Sequence, residues 1–193
     1  SLPGVFFNLG NTFKILNQEE QAIIAYNQAI ELKPDYVEVF INLSNTFQDL
    51  RNFKKAIYYL NKAIKLRPDY SEAHNNHGNA LRGEKNYKGA ILDYKRAATI
   101  RPSYPEAYNN MGVSLKELGR YDAAISMLSK AVKILPDYGE AYNNLGSVLT
   151  QFSSSSFSYE LESIYIQILD KGSIIRPSDV VKSIIIFLKH KSI

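Results

Sequence analysis

The 193 residues carry a formal charge of +4 and are 45% hydrophobic, a balance that excludes an intrinsically disordered chain. There is no cysteine, so disulfides, thiolate metal sites and cysteine nucleophiles are excluded together. No apolar run approaches the ~18 residues of a membrane span, the longest being Ile184 to Leu188.

The basic excess contains no run of like charge and reads as ordinary solvated surface. Neither nucleic acid nor membrane is therefore expected as a partner. The opening segment Ser1-Leu2-Pro3-Gly4-Val5 lacks the basic region and apolar core of a signal peptide. With the missing cysteines, this predicts a cytoplasmic location.

In chain order, prolines recur at Pro34, Pro68, Pro102 and Pro136, a step of 34 residues. Each is expected to follow the second helix of a pair, because proline cannot continue a helix. Four helix pairs and the first helix of a fifth then fill residues 3–152. Ser153 to Ser156 read as a loop. Phe157, Leu161, Ile164, Tyr165 and Ile168 make a helical stripe, ended by Lys171-Gly172. A last helix begins at Ser178-Asp179 after Pro177 and runs to about His190. Residues 153–193 are thus a degenerate repeat helix and a capping helix. About eleven helices and no strand are predicted. The last helix carries a wide apolar arc, Val180, Val181, Ile184, Ile185, Phe187 and Leu188. It is expected to fold back on the open end of the array, giving a monomer. The same arc on a second chain, giving a homodimer, is the alternative.

Stepping by 34 residues exposes the columns that define packing. Two are alanine throughout: Ala22, Ala56, Ala90, Ala124, and Ala29, Ala63, Ala97, Ala131. One is small: Gly10, Ser44, Gly78, Gly112, Gly146. Others are large and apolar: Phe13, Phe47, Leu81, Leu115, Leu149, and Leu32, Leu66, Ile100, Ile134. Small residues suit places where helix backbones approach closely, and large ones fill the holes between. In repeat three His74 and His77 stand in columns that are otherwise aromatic or aliphatic, so this repeat is expected to be the softest.

This pattern resembles the tetratricopeptide repeat, with repeat four showing it best in Tyr108, Met111, Gly112, Leu115, Tyr121, Ala124, Leu128, Ala131 and Pro136. The resemblance covers about residues 3 to 151 and implies an all-α, right-handed superhelical solenoid of antiparallel helix pairs. It also implies that the first helix of each pair lines the concave face and that the function is protein or peptide binding. No enzymatic activity, cofactor or metal is expected.

On those first helices one column is asparagine in every repeat: Asn8, Asn42, Asn76, Asn110 and Asn144. A carboxamide offers a donor and an acceptor and can pair with the polar groups of a passing main chain. Repeats spaced on the order of 10 Å and an extended guest advancing about 3.3 Å per residue give roughly three guest residues per repeat. The column resembles the asparagine ladder in the repeat arm of the O-linked N-acetylglucosamine transferases. Asparagines that merely solvate the groove and bond locally are the alternative. One turn on, Asn11, Asn45 and Asn79 extend the polar strip before Val113 and Ser147 break it. Lys14, Arg82 and Lys116 are candidates to meet an acidic guest side chain; cations that simply solvate an exposed helix face are the favoured alternative. A clamp for a terminal carboxylate is disfavoured by Glu38, Glu72, Glu106 and Glu140, which would repel it.

Three other motifs carry less. His74 and His77 have a metal-compatible spacing but no third ligand nearby in sequence. Gly78 to Gly83 has a phosphate-loop gap, but Glu84 stands where lysine is required. Asn42-Leu43-Ser44 matches a glycosylation sequon inside a helix expected to be packed. The leading expectation is a peptide-binding scaffold. A non-catalytic recruiting arm of a larger enzyme, such as a glycosyltransferase, and an RNA-binding helical repeat are the other two classes. The alanine and proline columns favour protein over RNA.

Overall fold

The computed structural model describes residues 1–151, and all regular structure among them is helical. The expected loop at Ser153 to Ser156, the stripe from Phe157 and the last helix with its capping or dimerising role lie outside the described residues.

The chain divides into two compact units. The first, Ser1–Pro102, holds α1 (Leu2–Ile15), α2 (Glu19–Leu32), α3 (Val37–Asp49), α4 (Phe53–Leu66), α5 (Ser71–Gly83) and α6 (Tyr87–Ile100). The second begins at Ser103 and holds α7 (Pro105–Glu117), α8 (Tyr121–Ile134) and α9 (Gly139–Gln151). Within each unit, consecutive helices pack as hairpins: α1 on α2, α3 on α4, α5 on α6, and α7 on α8.

The ends of these helices follow from local chemistry. Each second helix stops two residues before its proline, at Leu32, Leu66, Ile100 and Ile134. The intervening residues Lys33, Arg67, Arg101 and Leu135 have ψ of 87°, 86°, 90° and 92°. Proline pushes its predecessor out of the helical region in this way. The turn from first to second helix uses a left-handed residue at the same place in each repeat. These are Asn17, Arg51, Lys85 and Gly119, with φ of 54°, 55°, 60° and 70°. The following N–H reaches back five residues to close the helix, as in Gln18 to Phe13 at 2.9 Å and Asn86 to Leu81 at 2.8 Å. Asn52 and Asn86 then cap α4 and α6 by accepting from the Lys55 and Gly89 amides at 3.2 and 3.0 Å.

All eight alanines of the two alanine columns are fully buried, as expected of close helix crossings. The small column explains itself in the same way. A Cβ built on Gly10 would stand 2.4 Å from the ring of Tyr26, and one on Gly78 would stand 2.6 Å from the ring of Tyr94. A leucine in the tyrosine column does not by itself make room, since a Cβ on Gly112 would stand 2.6 Å from Leu128 Cγ; Ser44 is nonetheless accommodated and fully buried in the repeat that carries Leu60. One packing expectation needs correction. Leu32 and Leu66 fill no hole but stand half exposed, because they are the last residues of α2 and α4, where the chain is already turning away. Gly78 to Gly83 runs along α5 and forms no loop, so the phosphate reading ends there. Leu43 and Ser44 of the sequon are fully buried, as its place in a packed helix required.

Candidate peptide groove

The asparagine column puts one residue on each first helix: Asn8 on α1, Asn42 on α3, Asn76 on α5, Asn110 on α7 and Asn144 on α9. Asn8 is exposed, Asn42, Asn76 and Asn144 are half-buried, and Asn110 is buried. In the first unit, α1 packs beside α3 and α3 beside α5, which brings the second polar column into play. Asn42 Nδ2 donates to Asn11 Oδ1 at 2.7 Å, and Asn76 Nδ2 donates to Asn45 Oδ1 at 3.0 Å. Both bonds join residues 31 apart, so neighbouring repeats are stitched by the same amide pair. Tyrosines from the second helices reach the same column at Asn11 and Asn79. Tyr26 donates to Asn11 Oδ1 and Tyr94 to Asn79 Oδ1, each at 2.8 Å.

In the second unit the pairing changes because Val113 offers no acceptor. Asn144 Nδ2 donates instead to Asn109 Oδ1 at 2.9 Å, and Asn109 Nδ2 donates to Glu140 Oε1 at 3.0 Å. Tyr138 lies beside this group. Burial, then the charges of Glu140 and Glu106, push its hydroxyl up to about 12. The acidic column is likewise engaged in the first unit, where Glu38 pairs with Arg67 at 3.1 Å and Glu72 accepts from Tyr70 at 3.4 Å.

The cationic candidates are already engaged. Lys14 is ion-paired with Asp49 of the next repeat, Lys116 donates to Ser147 Oγ at 2.7 Å, and Arg82 also has an interaction partner. A guest carboxylate would have to displace these contacts. Among the described residues no cluster of three His, Asp or Glu is arranged for a metal ion, and no helix is long and apolar enough to cross a membrane.

Family models for the TPR repeat match residues 10–50 and 78–119, and tetratricopeptide repeat models match residues 37–70 and 105–138. Together they cover more than half of the chain. The chain belongs to the tetratricopeptide repeat family. Its all-α fold is the solenoid class of that family. Among solved structures, MamA protein is 24% identical with a TM-score of 0.75, covering 89% of this chain and 92% of that one. YrrB, described as a TPR protein with an unusual peptide-binding site, is 20% identical with a TM-score of 0.68, covering 97% and 91%. The first TPR of Spaghetti (RPAP3) bound to the HSP90 peptide SRMEEVD is 23% identical with a TM-score of 0.60, covering 61% and 94%. At these identities the likeness is one of fold. No curated protein matches the sequence.

The tetratricopeptide repeat departs from its own pattern most clearly in repeat three. His74 and His77 on α5 converge on Asp93 of α6, with His77 Nδ1 2.7 Å from Asp93 Oδ2 and His74 Nδ1 3.6 Å from Asp93 Oδ1. His74 Nε2 also lies 2.8 Å from the Pro68 carbonyl oxygen. The Asp93 carboxylate raises the His74 imidazole above its ordinary value, burial opposes this, and the Pro68 carbonyl adds to it. At 3.6 Å the first of these is charge attraction across a short gap more than a full hydrogen bond. Burial alone would raise Asp93, but the two imidazoles outweigh it and its carboxyl lies below the ordinary 3.8. Sequence reasoning singled out the histidines and missed the aspartate. The signal was present: the corresponding residues are Ala25, Tyr59 and Met127, so a lone carboxylate enters the same repeat as the two imidazoles.

Proposed function

We propose that this tetratricopeptide chain is a protein-interaction scaffold whose groove asparagines hold the main chain of an extended protein segment. The observation that carries the reading is the asparagine repeated on every first helix. In Asn42, Asn76 and Asn144 one N–H is committed to the neighbouring repeat. That commitment fixes each amide while leaving the carbonyl oxygens of Asn42 and Asn144 for a guest; the Asn76 oxygen also accepts from Asn75 at 3.4 Å and keeps one lone pair. Pairing to main-chain groups accepts many guest sequences. Engagement of Lys14 and Lys116 argues against recognition led by guest carboxylates. YrrB and the Spaghetti complex, both similar in fold, are peptide binders by their descriptions.

The test uses 12-residue peptides selected from a random display library against the whole chain, with affinity read by fluorescence polarisation. Asn42→Ala with Asn76→Ala should weaken binding roughly tenfold, at about 0.5–1.5 kcal/mol per lost bond. Replacing guest amides with N-methyl amides should weaken it comparably. Unchanged affinity in both arms, or a peptide mapped to the outer faces of α2, α4 and α6, would overturn the reading. The asparagine column also favours a second role, the non-catalytic recruiting arm of a larger enzyme such as a glycosyltransferase. The sequence of the whole gene distinguishes the two.

A further inference from the structure

Given groove asparagines that hold a guest main chain as proposed above, the sense in which each amide points matters. A carboxamide can turn over, exchanging its oxygen and nitrogen, at almost no steric cost. A row of amides bonded only to each other can therefore run in either sense. In the first unit something external breaks this symmetry. Asn11 Oδ1 accepts from Tyr26 at 2.8 Å and from Asn42 at 2.7 Å, which fills both of its lone pairs. Tyr26 and Tyr94 are 1% and 0% exposed. A buried phenol must place its proton on an acceptor or leave it unsatisfied. It therefore turns the Asn11 oxygen toward itself. Asn11 Oδ1 then faces Asn42 as well, so Asn42 must answer with its N–H. Tyr94 donates likewise to Asn79 Oδ1 and sets the sense of that one amide.

We propose that Tyr26 and Tyr94 are positioning residues that fix the sense of the groove amides and thereby the chain direction of the guest. An extended guest residue offers its own N–H and C=O side by side on one edge. An asparagine that presents oxygen on one side and N–H on the other matches that pair in one N-to-C direction. With the amide reversed, it matches the opposite direction. The middle repeat has Leu60 in the tyrosine column, so its Asn45–Asn76 bond provides an internal comparison.

Tyr26→Phe and Tyr94→Phe keep the rings against Gly10 and Gly78 and remove only the hydroxyls. The first measurement needs no guest: side-chain amide NMR signals of Asn11 and Asn42. In Tyr26→Phe these should broaden or split as the amides sample both senses, while those of Asn45 and Asn76 stay unchanged. The second compares a library-selected peptide with its reversed sequence. The double variant should lose roughly fivefold in preference for the forward peptide, the equivalent of one hydrogen bond. A change in overall stability alone would lower both affinities and leave the ratio intact. Unaltered Asn11 and Asn42 signals together with an unaltered ratio would overturn the proposal. If Asn42→Ala with Asn76→Ala leaves affinity untouched, the groove reading fails instead, and the amide signals still decide the sense of the row.

Discussion

At the scale of single residues, the tightest constraint is the contact between the small column and the residue opposite it. Gly78 sits under the Tyr94 ring, where a Cβ would fall 2.6 Å from Cε1. Tyr94 cannot swing away, because it is fully buried and its hydroxyl is tied to Asn79. Gly78→Ser should therefore cost about 1–3 kcal/mol by overpacking, read as a lower urea midpoint. Repeat two has Ser44 with Leu60 in the tyrosine column, whereas repeat four keeps Gly112 with Leu128, whose Cγ lies 2.6 Å from where a Cβ would stand. Gly78→Ser combined with Tyr94→Leu should cost less than the sum of the two single changes, a non-additive outcome expected of residues in contact. If the two losses simply add, the assigned packing partner is wrong. The residues in these columns were legible from the 34-residue step. Which of them touch was not, because contact depends on how far α5 and α6 approach.

At the scale of the element, each hairpin depends on one residue in the left-handed region. Only repeat four uses glycine there. Gly119 has no atom near the position its Cβ would take, so only backbone conformation is at stake. Gly119→Ala should destabilise by about 1 kcal/mol. The reverse change, Lys85→Gly at φ 60°, should be neutral or stabilising by up to about 1 kcal/mol. Thermal denaturation of the two variants checks this; the same sign of change in both would contradict the turn geometry. The prolines announced the ends of the second helices in sequence. The ends of the first helices had no such mark, because Asn17, Arg51 and Lys85 are not residues whose type demands a left-handed turn.

At the scale of the whole molecule, the Asp93 cluster makes stability depend on pH. His74 is raised above its ordinary 6.5, so its contribution is complete below that value and fades as pH rises through the folded value. Asp93 is held below 3.8, so its contribution is complete above that value and is lost as pH falls through the folded value. Together they favour the folded state most between about pH 4 and 6.5. The urea midpoint should decline from pH 6 to 8, and Asp93→Asn should lower the unfolding free energy by about 1 kcal/mol at pH 6 while flattening that decline. An unchanged slope in the variant would show that another group carries the dependence. By itself, the sequence determined the helix pairs, the family and the asparagine column, because all three are periodic and a 34-residue step displays periodicity directly. It left open what the asparagines do to one another. The bonds from Asn42 to Asn11, the shift to Asn109 where Val113 intervenes, and the meeting of two histidines with Asp93 join residues 16 to 35 apart. Only the packing of one helix on the next brings such atoms within hydrogen-bonding reach.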